Sequence, residues 1–377
     1  MSEIKNIVII GALTGALLAR ALEKSLPPTH RLVLIEKNEA AFWPVGSLRA
    51  AALPDFENKI FAPVAGFFPK DSRHIALGST EVTSLGKTSV TISKPAESLS
   101  GVTEIPFAYA IIATGSSYAY PSRPVAVDVA TSKANLKKTQ EDIKQAKSIL
   151  VIGGGPVGIE FAGEVVDQHP SKKVTLATSG PALLSPAWKS SLADKLEWQL
   201  EKAGVELITN AKVDLPSDVK TGELLTESVS VKAGEKTVET DFILIGTGAK
   251  ANGQLLPADA KDQDGRVKVD QQLRVQSETL GDRYFAVGDI VSAEGSGTFI
   301  NAQNHVPVVA ANLGAVLKGG KPAKAFKPML GVLTVPIGQK AGASQLFGFV
   351  VGEWLTPIIK GKHLFLSTFT KTFSYAF

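Results

Sequence analysis

The chain contains no cysteine. A disulfide framework, a thiolate metal site and a redox-active dithiol are therefore all excluded. Its five histidines are widely spread and never fall at HxxxH spacing, which argues against a histidine metal site. Long hydrophobic runs are missing too: no apolar stretch reaches the ~18 residues that suggest a spanning helix. The opening Met-Ser-Glu-Ile-Lys lacks the apolar h-region of a secretory signal. Ser2 stands where myristoylation requires glycine. Charge of one sign is not concentrated either. The formal net charge is +4, and lysines come as singles or pairs such as Lys137-Lys138 and Lys172-Lys173. No run reads as a nucleic-acid footprint, so no nucleic-acid partner is expected. The expected location is cytoplasmic, with attachment to a membrane or lipid surface left open.

What is present is the composition of an ordinary globular enzyme, 44% hydrophobic and 20% charged over 377 residues. That length exceeds what one core supports, so two domains or more are expected. Residues 4–10, IKNIVII, form a short β-branched run that reads as a buried parallel strand. GALTGALLARALEK follows as a tight turn and helix, and RLVLIEK (31–37) as the next strand. This is a βαβ unit. Glu36 ends the second strand, 25 residues after Gly11, where a carboxylate accepts both hydroxyls of an adenosine ribose. The turn departs from Gly-x-Gly-x-x-Gly: its three positions hold Gly11, Leu13 and Ala16, with an additional Gly15. Glycine at the second position lets backbone approach a pyrophosphate, and Leu13 removes that freedom.

A second unit is cleaner. SILVIGGGPVGIEFAGEV (148–165) places Gly153, Gly155 and Gly158 at all three positions, and the following helix offers its N-terminus to phosphate. Thr178 lies 25 residues after Gly153, where an acid would select NAD; neither acid nor arginine flanks it. NADH and NADPH both remain open, with Ser179, Lys172, Lys173 and Lys189 as weak candidates for a 2′-phosphate.

Three further motifs accompany the fingerprints: AIIATGSS (110–117), FILIGTGAK (242–250) and YFAVGDIV (284–291). With these in order, the chain resembles the two-dinucleotide-binding-domain flavoproteins of the pyridine nucleotide-disulfide oxidoreductase superfamily. FWPVGSLRAA (42–51), GPVGIEFAGEV (155–165) and the C-terminal GASQLFGFVVGEW and LFLSTFTKTF narrow it. They are similar to apoptosis-inducing-factor-like proteins of the ferroptosis-suppressor type and, more distantly, to type II NADH dehydrogenases. The resemblance implies an α/β fold of two Rossmann-like domains, the NAD(P)H domain inserted in the FAD domain, plus a small C-terminal α+β unit. The expected boundaries are 1–118 and 250–318 for FAD, 119–249 for NAD(P)H, and 319–377 for the C-terminal unit. It also implies FAD and NADH or NADPH as cofactors, and a quinone-like small molecule as electron acceptor.

On the same basis Asp289 is expected to bond the ribityl or pyrophosphate region. Glu160 positions the nicotinamide, with a solvated helix glutamate as the alternative; Glu164 on the same face is the weaker candidate. A helix starting near Asn304 aims its N-terminus at the flavin, which makes Gln303, Asn304 and His305 flavin or acceptor contacts. His305 stands with Glu160 as the catalytic pair. Arg49 is expected at the FAD or acceptor pocket. Phe42, Trp43 and Pro44 wall the flavin, with a core role for Phe42 equally open. The remaining cofactor contacts implied are Gly11, Leu13, Thr14, Gly15, Glu36, Lys37, Val82, Ala113, Thr114, Gly115, Gly153, Gly155, Pro156, Val157, Gly158, Thr178, Gly248 and Gly288. No metal is expected. The tail from Trp354 mixes aromatics with Lys360, Lys362 and Lys371, and reads as a membrane-surface segment, a homodimer interface or a lid. Two other readings of the whole chain stay open. One is a slow redox-sensing protein that binds both nucleotides; the other is a relative whose flavin binding is weakened at Leu13.

Overall fold

A computed structural model describes residues 4–215, 219–295 and 297–375. Ser2 and the last two residues of the tail lie outside them. Two sheets with parallel cores carry the architecture. The first is built around β1 (Lys5–Ile10), which pairs in parallel with β2 (His30–Ile35) and with Tyr109–Ile112. Val8 lies opposite both Val33 and Ala110. Ile75–Leu77 and Tyr284–Ala286 complete five parallel strands drawn from distant stretches of chain. Ile7, Val8 and Ile9 are fully buried, as a strand covered on both faces requires.

Helix α1 (Thr14–Glu23) returns from β1 and buries Ala16, Leu18, Ala19 and Leu22. Then come α2 (Ser47–Ala52) and α3 (Val129–Gln145). Asp128 caps α3 by accepting from the Thr131 amide at 2.7 Å. The second sheet starts at Ser148–Ile152, which runs directly into α4 (Pro156–Gln168). Lys173–Ala177, α5 (Ser190–Lys202) and Val205–Ile208 follow. These three strands and Lys236–Ile245 are parallel, while Leu224–Ala233 adds antiparallel to the last. A short antiparallel pair, Ser116–Ser117 with Lys250–Ala251, holds together the two crossings between the sheets.

Helix α4 is apolar on its sheet side: Ile159, Phe161, Ala162 and Val165 are fully buried. Burial of each large one contributes roughly 1.5–3 kcal/mol. On the other side Gly163 admits the C-terminal unit, because a Cβ there would lie 2.7 Å from Ile337 Cα. That unit is a three-stranded antiparallel sheet, Val332–Ile337, Ala341–Leu346 and Phe349–Val351, followed by α7 (Leu366–Thr372). The fold class is thus the expected α/β architecture with Rossmann-like sheets.

One helix differs from expectation. Helix α6 spans Phe299–Val316, beginning five residues before Asn304. Asn301 stabilises this additional turn: its Nδ2 donates to Gly295 O at 3.1 Å and its Oδ1 accepts from Met329 N at 2.7 Å. Pro307 lies inside the helix, not at its start. Gln303, Asn304 and His305 therefore occupy the second turn, and their amides are not the free N-terminal ones.

Candidate functional site

Both glycine turns lie where ligands bind in open α/β sheets, outside the carboxyl ends of the strands. In the first, Gly11 takes φ +106° and a Cβ there would meet Ala113 O at 2.3 Å, so only glycine fits. Gly15 lies against Ile9 in the same way, at 2.6 Å from its Cγ2. Leu13 has φ −100°, open to any L-residue, and its half-buried side chain packs against the core. The turn is therefore formed without a glycine at the second position. Glu36 sits at the end of β2, its Oε2 accepting from the Ala12 amide at 2.8 Å and its Oε1 from Asn38 at 3.1 Å. Burial pushes its pKa up, while those amides oppose the shift. Lys37 beside it is exposed, and Val82 is buried at the start of the strand Val82–Leu85.

The VGD turn meets the first turn directly. Gly288, φ +84°, sits so close to Thr14 that a Cβ would lie 2.8 Å from its Oγ1. The Gly288 amide donates to His305 Nδ1 at 3.0 Å. His305 is 1% exposed, and burial lowers its pKa to about 4. The ring is thus a neutral imidazole that holds this turn in place. Asp289 Oδ2 accepts from Ser116 Oγ at 2.9 Å. Thr114 interlocks with Asn252, Oγ1 donating to its carbonyl and the Thr114 carbonyl accepting its Nδ2. Gly115 and Gly248, at φ +67° and +83°, face open space on the two crossings. Gln303 and Asn304 are half-buried on α6.

In the second turn Gly153 and Gly158 are held by contact. A Cβ on Gly158 would meet Gly153 O at 1.9 Å. Gly155, the N-cap of α4, has no neighbour within 4 Å of where a Cβ would be. Beside it Pro156 is preset for the first helical position, and the Val157 and Gly158 amides lack intrahelical partners, while the Ile159 amide already donates to the Gly155 carbonyl at 3.1 Å. That cradle fits a pyrophosphate. Thr178 ends its strand buried, touching the Gly154 position (2.7 Å from a Cβ to Oγ1). Lys172 is turned away, donating to the carbonyls of Lys144 and Ala146, and Lys173 begins its strand at the opposite edge of the sheet. Lys189 donates to Gly348 O at 2.5 Å. Ser179 alone of those candidates is exposed at the ligand end.

Glu160 is not a solvated glutamate. It is 9% exposed and accepts from Lys360 Nζ at 2.6 Å. Burial raises its pKa, against the pull of Lys360 and then Arg49. Glu164, one turn on, is buried in a bidentate pair with Arg49, at 2.7 Å from Nη2 to Oε1 and 2.9 Å from Nε to Oε2. Arg49, expected at the FAD or acceptor pocket, is instead 1% exposed and spends its other donors on the carbonyls of Gly338 (3.2 Å) and Lys362 (3.5 Å). A guanidinium this dry needs a carboxylate, and Glu164 supplies it. Trp43 likewise belongs to an aromatic cluster with Phe299 and Phe369, donating from Nε1 to Leu364 O at 2.8 Å. Phe42 packs on Phe61. Sequence reasoning missed Lys360 as the Glu160 partner and Arg123, which stands beside Asp289; neither carries a local signal.

Two nucleotide turns on two Rossmann-like sheets, joined by two short crossings, define an oxidoreductase of the two-dinucleotide flavoprotein class. Residues 5–306 match the family model for pyridine nucleotide-disulphide oxidoreductases, and the chain belongs to that family. FAD and NAD(P)H are its cofactors. The chain is 28% identical over 394 residues to apoptosis-inducing factor homolog A of Dictyostelium discoideum, covering 99% of this chain and 92% of that one. It is 25% identical over 375 residues to human ferroptosis suppressor protein 1, covering 97% and 95%. The reduced Bacillus anthracis CoADR-RHD structure superposes with TM-score 0.69 at 18% identity, over 90% of this chain and 61% of that one. The water-forming NADH oxidase from Lactobacillus brevis, bound to NADH, gives 0.64 at 18% identity, over 91% and 73%. Those structures share the fold.

Proposed function

We propose that this chain oxidises NADH or NADPH at the second turn and delivers electrons from FAD at the first to a quinone-like small acceptor. The observation that carries this reading is the buried Glu160–Lys360 pair, which joins the coenzyme helix to the C-terminal unit in a chain without a thiol. With no dithiol to receive electrons, they leave for a diffusible acceptor; resemblance to the ferroptosis-suppressor type favours a quinone.

Residues 1–118 and 250–318 are assigned to FAD, 119–249 to NAD(P)H and 319–377 to the acceptor side. FAD, when bound, supplies the two-electron chemistry between nicotinamide and acceptor. Gly11, Thr14, Glu36 and Asp289 hold it, and His305 keeps the Gly288 turn in place. Gly153, Gly155 and Gly158 shape the coenzyme cradle. Glu160 orients the nicotinamide amide, fixed by Lys360. The C-terminal sheet excludes water from the helix beside it.

Steady-state oxidation of NADH by the flavin-loaded protein with a soluble quinone tests the reading. Rapid turnover is expected. Turnover near background with flavin present would sink it and favour a redox-sensing role.

A second observation bears on where the acceptor comes from. Phe347, Phe349, Trp354 and Ile358 are 69%, 77%, 70% and 57% exposed on the C-terminal unit. Residues 319–377 hold seven lysines and one acid, Glu353, a formal +6 against −2 for the rest of the chain. Aromatic and basic side chains together suit an anionic lipid surface, the source of a lipid-soluble quinone. Among the described residues no helix is long and apolar enough to cross a membrane, so the contact proposed is peripheral. Co-sedimentation with vesicles containing phosphatidylserine tests it; recovery of all protein in the supernatant at low salt would exclude it.

A further inference from the structure

Arg123 lies six residues beyond Ser117 in the segment that leaves the first sheet, and no sequence motif marks it. Its guanidinium carbon sits 5.2 Å from the Tyr118 ring centroid. Nε donates to Ser116 O at 3.2 Å and Nη1 to Ser122 O at 3.1 Å. Nη2 reaches within 3.9 Å of Asp289 Oδ2, close enough for attraction and too far for a hydrogen bond. A guanidinium has five donors. Two are used, and those on Nη2 make no hydrogen bond among the described residues.

Asp289 is similarly half-used. Its Oδ2 takes the Ser116 hydroxyl, while Oδ1 accepts nothing among the described residues. Both side chains are 23% exposed. Burial lowers the Arg123 pKa, while Asp289 raises it. Idle donors on a partly dry cation are costly unless an anion meets them. Asp289 follows Gly288, and Gly288 touches Thr14 of the first turn. Arg123 therefore faces the same space as that turn. There Leu13 has replaced the glycine that would let backbone amides close on a pyrophosphate, and α1 has no side-chain cap.

We propose that Arg123 is an FAD-binding residue, its Nη2 donating to a phosphate oxygen of the cofactor beside Asp289 and supplying the charge that the Leu13 turn lacks. Arginine suits this position because it stays ionised, and its planar fork, steadied by Tyr118 and two carbonyls, presents the remaining donors in a fixed direction. The inference rests on the placement of FAD at the first turn.

Flavin-free protein is titrated with FAD, following flavin fluorescence, for wild type, R123Q, R123K and D289N. R123Q is expected to bind FAD ten- to a hundredfold more weakly, with a shallower salt dependence. R123K falls between R123Q and wild type, and the flavin-free variants keep the wild-type urea midpoint. Loss of affinity in D289N with R123Q within twofold of wild type overturns the Arg123 role alone. No loss in D289N overturns the placement of FAD itself. Unchanged affinity in R123Q with a shifted flavin midpoint potential also overturns the proposal, assigning the cation to the ring. If R123Q does not fold, R123K decides: weaker binding supports the role, and binding within twofold of wild type overturns it.

Discussion

Lys360 donates to Glu160 Oε1 at 2.6 Å across 200 residues of chain, so the C-terminal unit supplies the counter-charge to a buried carboxylate of α4. E160Q keeps the side chain's shape and removes its charge. Reduction of bound flavin by NADH should slow on the order of a hundredfold through lost orientation. It should also destabilise by leaving an ammonium unpaired. Stopped-flow reduction and urea unfolding measure the two effects. The double variant E160Q/K360M should recover stability and not the rate; recovery of both would make the pair purely structural.

His305 should make stability depend on pH. Its folded pKa is about 4 against an ordinary 6.5, so between these values the unfolded chain holds a proton that the folded chain lacks. Stability is complete above about 6.5 and is lost as pH falls toward 4, by at most about 3 kcal/mol. H305N keeps an acceptor for the Gly288 amide and should flatten this part of the profile. Urea midpoints from pH 4 to 7.5 check it.

The two glycines of the second turn should separate binding from folding. G155V points a side chain into space free of protein atoms. It should abolish NADH binding and leave the melting temperature within a few degrees. G158A drives a Cβ onto Gly153 O, 1.9 Å away, and should cost several kcal/mol, at the upper end of single substitutions. Equal melting temperatures in the two would contradict this division. Calorimetry with NADH gives the binding side.

With the coenzyme placed as proposed, its ribose lies beside Thr178, which carries no charge to choose between NADH and NADPH. T178D should lower kcat/KM for NADPH on the order of a hundredfold relative to NADH, since like charges brought together cost several kcal/mol. Kinetics with both coenzymes would show it, and parallel losses for the two would mean that residue 178 does not meet the ribose.

Much of the fold was legible because its signals are local. IKNIVII and SILVI are short continuous apolar runs rich in β-branched residues, and the glycine turn directly after each identifies it as a buried strand. Glu36 was found by counting from Gly11. What escaped was pairing over distance. Arg49 and Glu164 are 115 residues apart, and nothing near either shows that a buried carboxylate is waiting. Lys360 sat in a tail that reads as a membrane-surface segment, a homodimer interface or a lid. The start of α6 lies five residues before the expected Asn304, because the side-chain bonds of Asn301 to Gly295 and Met329 that extend the helix backward are tertiary.

The close seat of Ile337 on Gly163 bears on how such a protein can be shortened or recombined. Truncation at residue 318 would take away Lys360, the Gly338 and Lys362 carbonyls that Arg49 uses, and the Leu364 carbonyl that Trp43 uses. The remaining piece would uncover that face of α4 and leave Glu160 without its counter-charge. Residues 319–377 are therefore not a detachable module. A chimera that exchanges them has to carry the matching surface of α4 along, glycine and glutamates together.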